Sequence, residues 1–292
     1  MNKATHHFKH LQFAAFSKSI LIFVFSFLFF GALANPQIAN KQQIGLFKNS
    51  KTCVVLETGS ISYNVLITDA VQKHWKLTEF EFIDQEKFEL RRHDSQYSFI
   101  VLLKGVYDKD PAGVGYSYLS LVLGDPAYDI ADMPELCSFP LSYAGEMDKE
   151  FGYVIPSMII FMQKHVNNLE NHRLLISING LKYYNSMTSF KDKVLLLDKN
   201  SLSSDADSPE KINTVYPYYV KLLDVSEIQK ELNANPVNTV FNYHVGPAEN
   251  SGSGKCFEMI FDTDGFLWYY TFRAVTNLNE DGMSLKDFQR LR

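Results

Sequence analysis

Near the end of the chain two runs alternate in step. Phe257, Met259 and Phe261 are separated by Glu258, Ile260 and Asp262. After Thr263-Asp264-Gly265, Phe266, Trp268, Tyr270 and Phe272 are separated by Leu267, Tyr269, Thr271 and Arg273. A period of two on both sides of an Asp-Gly turn is the pattern of a β-hairpin, since successive strand side chains point to opposite faces. No other segment restricts the fold so strongly. It demands antiparallel strands at a sheet edge, and Ser284 to Leu291 then reads as a C-terminal capping helix.

Upstream, short apolar runs alternate with helical spacing. Cys53 to Leu56, Phe80 to Ile83, Tyr97 to Leu103 and Tyr116 to Leu123 read as strands. Ile61 to Trp75 carries apolar residues at helical intervals, and Asp84 stands where an N-cap belongs. Gly124-Asp125-Pro126 ends the fourth strand, and a loop of about 20 residues leads to a helix that begins near Asp148 or restarts at Pro156, with apolar residues nearly all round. Val194 to Leu197, Tyr218 to Leu223 and Asn238 to Val245 repeat the strand order, with Asp224 capping the intervening helix. Shifted by 140 residues, Val54 falls on Val194, Phe80 on Val220, Asp84 on Asp224 and Phe88 on Ile228. Two readings stay open, a structural duplication of 51–145 and 191–292 about a buried helix segment, or ordinary α/β regularity. Both predict an α/β fold with a mostly parallel sheet of βαβ units covered by helices on both faces, ending in the antiparallel hairpin and capping helix.

The first 34 residues are a different material. Lys3, Lys9 and Lys18 precede the apolar run Ile20 to Phe30, which ends in Gly31-Ala32-Leu33-Ala34, and the first acidic residue is Glu57. A basic stretch, a short apolar run and a small-x-small site read as a secretory signal peptide over 1–34. Residues 35–50 then form a polar tether to a single domain over 51–292. The apolar run is shorter than the roughly 20 residues a spanning helix needs, so retention as an anchor is the weaker reading. The whole chain carries a formal charge of −5, and its first 34 residues hold three lysines and no acid. A mature domain more acidic than that lacks the basic footprint that nucleic acid or an anionic membrane selects, and no insertion into a membrane is expected after cleavage.

No complete catalytic or metal constellation runs along the chain. Gly252-Ser253-Gly254-Lys255 lacks the leading glycine and following Ser/Thr of a phosphate loop, and a strand follows it instead of a helix. Asp262-Thr263-Asp264-Gly265 lacks the flanking acids of a calcium loop. His165 and His172 stand seven apart, where one helix needs three or four to hold zinc. His74 and His244 read as isolated, and Ser157 has no base nearby in sequence. Three cysteines, 53, 137 and 256, allow three pairings, and their spacing does not choose among them. No metal and no cofactor is therefore expected.

Two places remain as candidate binding residues. Asp125 and Asp129, with Asp132, sit on a loop after a strand, where α/β proteins place ligands. Tyr269 and Arg273 lie on the hairpin face opposite Trp268, Tyr270 and Phe272, read as the solvent side. The expectation is an exported, periplasmic or extracellular protein that binds a partner protein or small ligand. The alternative is an exported hydrolase or transferase with a scattered site including the acidic loop 125–132.

Overall fold

The computed structural model describes residues 37–105, 115–126, 130–143, 151–186, 190–234, 237–247, 253–276 and 278–292. The segment read as a signal peptide and residue Asp129 lie outside them. All the described residues but Gln37 belong to one compact unit, Ile38–Arg292.

That unit holds two mixed five-stranded sheets, which corrects the expectation of one mostly parallel sheet. The first contains β1 (Lys51–Val55), β2 (Phe80–Ile83), β3 (Tyr97–Gly105), β4 (Tyr116–Leu123) and β5 (Glu135–Tyr143) in the order β2-β1-β3-β4-β5. The second contains β6 (Val194–Asp198), β7 (Val220–Leu223), β8 (Thr239–Val245), β9 (Gly254–Phe261) and β10 (Leu267–Val275) in the order β7-β6-β8-β9-β10. In each, three strands run parallel and two antiparallel strands follow. The physical reason lies in the connections. A parallel crossover needs a dozen or more residues and a helix, and the links from β3 to β4 and from β8 to β9 are shorter than that. The chain can only turn back.

The two sheets share one strand order, and their registers align them differently from a uniform shift. Val54 pairs with Phe82 and Leu197 pairs with Leu222. If Phe82 and Leu222 are equivalent, Val54 corresponds to Leu197 and not to Val194.

β5 occupies what the sequence suggested was loop. Pro140 argues against a strand interior, because it cannot donate to a ladder. It is tolerated here because β5 is the last strand of its sheet and is bulged opposite Ser117 and Tyr118. The stretch read as a polar tether also contains structure: helix α1 (Lys41–Lys48) starts at a capping box, with Asn40 Oδ1 accepting from Gln43 N at 3.0 Å and Gln43 Oε1 accepting from Asn40 N at 2.9 Å. Its Ile44 and Phe47 are buried in the core.

Helices α2 (Ile61–His74) and α4 (Ile155–Asn179) pack into the largest core, while α3 (Gln85–Arg91) starts at Asp84, whose Oδ1 accepts from Lys87 N at 2.8 Å. Where the sheets meet over α4, Phe139 of β5 touches Phe161 and Phe261 at ring separations of 5.2 and 5.5 Å. Tyr243 Oη donates to the Leu141 carbonyl at 2.5 Å. Burying each such ring contributes about 1.5–3 kcal/mol. A second core lies on the other face of the second sheet. Leu195, Val240, Ile260 and Tyr269 there meet Ile212 of α5 (Pro209–Asn213) and Phe288 of α7 (Leu285–Leu291). Helix α6 (Val225–Asn233) begins with Glu227 Oε2 accepting from Asp224 N at 3.0 Å. Among the described residues, no helix is long and apolar enough to cross a membrane.

Candidate functional site

The second core decides the hairpin's orientation. Tyr269 is 6% exposed and packs into that core, Thr271 is buried, and an irregularity between Leu267 and Tyr269 turns Leu267 into the first core instead. α5 and α7 cover the face that the sequence suggested was free, whereas Phe272 on the opposite face is 41% exposed. Arg273 serves the fold at this place: its guanidinium meets Asp287 Oδ2 at 3.0 Å and donates to the carbonyls of Glu280 and Gly282. The hairpin tip docks on α4, where Ser157 Oγ donates to the Asp262 carbonyl at 2.9 Å. Asp262 uses both carboxylate oxygens within the hairpin, accepting from Phe266 N at 2.9 Å and Trp268 Nε1 at 2.8 Å. Its oxygens are thereby occupied, as a turn requires.

Asp125 is half-buried, and its amide donates to the Arg92 carbonyl at 2.9 Å; Asp132 is exposed on a short 3-10 turn, Ile130–Asp132. The three cysteines are free and buried on three different strands. No pairing closes.

The structure instead assembles a polar cluster from residues that looked unrelated. His244 on β8 and Glu258 on β9 are cross-strand partners, and Cys256 stands two residues before Glu258 on the same face. His244 Nδ1 lies 2.9 Å from Glu258 Oε1, Cys256 Sγ lies 3.3 Å from the same oxygen, and Sγ and Nδ1 are 3.8 Å apart. On the far side of the imidazole, Nε2 faces Asp281 Oδ2 at 3.3 Å. Asn242 Nδ2 donates to Glu258 Oε2 at 2.7 Å. Cys256 and Glu258 are fully buried.

Burial by itself would pull the His244 pKa down. The Glu258 carboxylate, the neighbouring Cys256 and the bond to Asp281 outweigh it and hold the imidazole well above its ordinary range. Burial would raise Asp281, yet the bond to His244 keeps its carboxyl below the usual value. Burial, with Glu258 beside it, pushes the Cys256 thiol up to about 12.

The order Cys256–His244–Asp281 has the connectivity of a nucleophile, base and orienting acid. Chemistry rules out that use. The sulfur has no exposure to a substrate, and a carboxylate 3.3 Å away opposes the thiolate. What the cluster can do is hold charge internally or gather a cation.

No family model matches the chain, and no solved structure does. One curated protein is distantly similar. It is Lufaxin of Lutzomyia longipalpis, 24% identical over 206 residues, covering 64% of this chain and 66% of that protein.

The remaining surface feature is a sheet edge. At the β10 edge, Asn185 takes both backbone groups of Tyr270: its Nδ2 donates to the carbonyl at 2.9 Å, and its Oδ1 accepts from the amide at 2.8 Å. At the β7 edge the parallel register leaves the N–H and C=O of Val220 and Leu222 pointing away from β6, with no partner among the described residues. Tyr219, at the head of that strand, is 77% exposed. Beside it Pro209, Asn213, Pro217 and Tyr218 line a concavity of about 280 Å³.

The sequence contained the letters of both features but not their meeting. Glu258 occupies a position that alternation assigns to solvent, and His244 stood alone. Only the β8–β9 register brings them together.

Proposed function

We propose that the chain is an exported protein that acts by binding a partner protein, taking an extended segment of it onto the open edge of β7. The observation that carries this reading is the contrast between the two edges of the second sheet. Asn185 blunts β10, whereas β7 leaves its outward backbone groups unpaired beside an exposed tyrosine and a ring-lined concavity. An unpaired edge is a template for another strand, and native proteins cover or blunt such edges where they have no use for them. A segment added there gains main-chain hydrogen bonds from Val220 and Leu222, while Tyr219 and the concavity select among its side chains. Export is supported by the composition of residues 1–34.

The test selects a library of displayed linear peptides on the immobilised full chain and titrates the enriched peptides against wild type and Tyr219→Ala. This side chain is exposed, so its loss leaves the fold intact. The expected result is a shared sequence pattern among the binders and at least a tenfold weaker binding to Tyr219→Ala. Binders that ignore the substitution, or no enrichment over a bare support, overturn the reading.

A further inference from the structure

We propose that His244 Nδ1, Cys256 Sγ and Glu258 Oε1 form a zinc site between β8 and β9, with a water completing four-coordination. Three donors of the types that zinc prefers converge from two adjacent strands, and the three atoms lie within 4.8 Å of one another. Their separations are 2.9, 3.3 and 3.8 Å. Zinc–ligand lengths of about 2.0–2.3 Å in a tetrahedron put donor atoms roughly 3.3–3.6 Å apart. A point about 1 Å out of the plane of the three atoms lies about 2.2 Å from each, which leaves the fourth position open for water, so an ion fits with adjustments of a few tenths of an ångström.

The surroundings are those of a metal site as well. A zinc-bound histidine characteristically gives its other ring N–H to a carboxylate, which fixes the tautomer and turns the free lone pair to the metal. Asp281 Oδ2 stands at His244 Nε2 in that position. Asn242 likewise holds the second oxygen of Glu258, leaving the first for the metal. Gly246 makes the arrangement possible: a Cβ there would lie 2.1 Å from Asp281 Oδ2, so any other residue pushes the carboxylate away.

Cys256 and Glu258 are fully buried and the His244 side chain is only 9% exposed, so the metal is taken up as the chain folds.

Cobalt(II) reports the site directly, because thiolate ligation gives an intense charge-transfer band. The full chain is refolded with Co²⁺ and titrated with Zn²⁺. The expected result is one Co²⁺ per chain, with a thiolate-to-cobalt band that Zn²⁺ abolishes. Cys53→Ser/Cys137→Ser keeps the band, Cys256→Ser loses it, and Asp281→Asn keeps it with metal affinity 10–100-fold weaker. A wild-type protein that refolds without binding an equivalent of either metal overturns the proposal, which does not depend on Cys256→Ser folding. A band that disappears from Cys53→Ser/Cys137→Ser while that variant folds overturns it equally.

Discussion

His165 Nδ1 lies 2.7 Å from Tyr184 Oη, inside the protein, with His165 only 4% exposed. Asn168 Nδ2 donates to the same hydroxyl at 3.3 Å, so the tyrosine proton is directed to the imidazole and the ring is neutral. Burial lowers the His165 pKa from 6.5 to about 4. The unfolded chain therefore takes up a proton below about pH 6.5, and the folded one only below about pH 4. The stability associated with this group is complete above the upper value and declines as pH falls through the window. The expected loss is about 3 kcal/mol by pH 4, because each tenfold difference in proton affinity between the folded and unfolded chain is worth about 1.4 kcal/mol. Denaturant unfolding of wild type and His165→Phe across pH 4–7 measures it. The difference between their slopes isolates the histidine from the carboxylates. Parallel slopes would show that the ring is not held neutral.

Gly246 and Asp281 are expected to couple. Gly246→Ala places a methyl group 2.1 Å from Asp281 Oδ2 and should cost about 1–3 kcal/mol, as overpacking does. In an Asp281→Ala background the obstacle is gone, and most of that cost should vanish. A double-mutant cycle by denaturant unfolding reads the coupling, expected at about 1 kcal/mol or more. Strictly additive costs would mean that the close approach carries no energy.

Asp262 should be the residue on which the hairpin turn depends. Asp262→Ala removes the acceptors of Phe266 N and Trp268 Nε1. The expected loss is about 2–4 kcal/mol, since two hydrogen bonds to a carboxylate disappear and the indole N–H is left part-buried. Tryptophan fluorescence in the native state should change alongside the unfolding midpoint, because Trp268 loses its partner. Asp262→Asn, which keeps an acceptor, should lose less.

Arg273 is expected to reject lysine. Its fork reaches Asp287 and two carbonyls at once, and Asp287 is 1% exposed. Asp287 also accepts from Ser284 N at 3.0 Å and Ser284 Oγ at 2.7 Å, which starts α7. Arg273→Ala leaves the buried carboxylate with only the longer contact from Arg290, 3.6 Å from Oδ1, at a cost of about 3 kcal/mol, the lower end for breaking a buried pair. A lysine restores the charge but not the three-way geometry, so thermal unfolding of Arg273→Lys should fall nearer to Arg273→Ala than to wild type.

The local elements were largely legible. Alternation about Asp264-Gly265 located the β9–β10 hairpin, and the spacing from Ile61 to Trp75 located α2. Asp84 was legible as a cap from its position before a helical run. These are short-range facts, fixed by side-chain period and by hydrogen bonds spanning three residues. β5 was hidden because Pro140 speaks against a strand, and only its place at the sheet edge removes the objection. The side-chain period says that Tyr269 and Arg273 share a face, but not what lies over it. That depended on α5 and α7 folding back from distant parts of the chain.

The sequence by itself determined most of the strands and helices, though not β5 or α1, and that one end of the chain is an antiparallel pair, because those depend on neighbours within a few residues. Tertiary structure alone decided that three parallel strands are followed by two antiparallel ones in each sheet. It also decided that His244, Cys256, Glu258 and Asp281 converge, since strand register and loop return set which side chains meet across the fold.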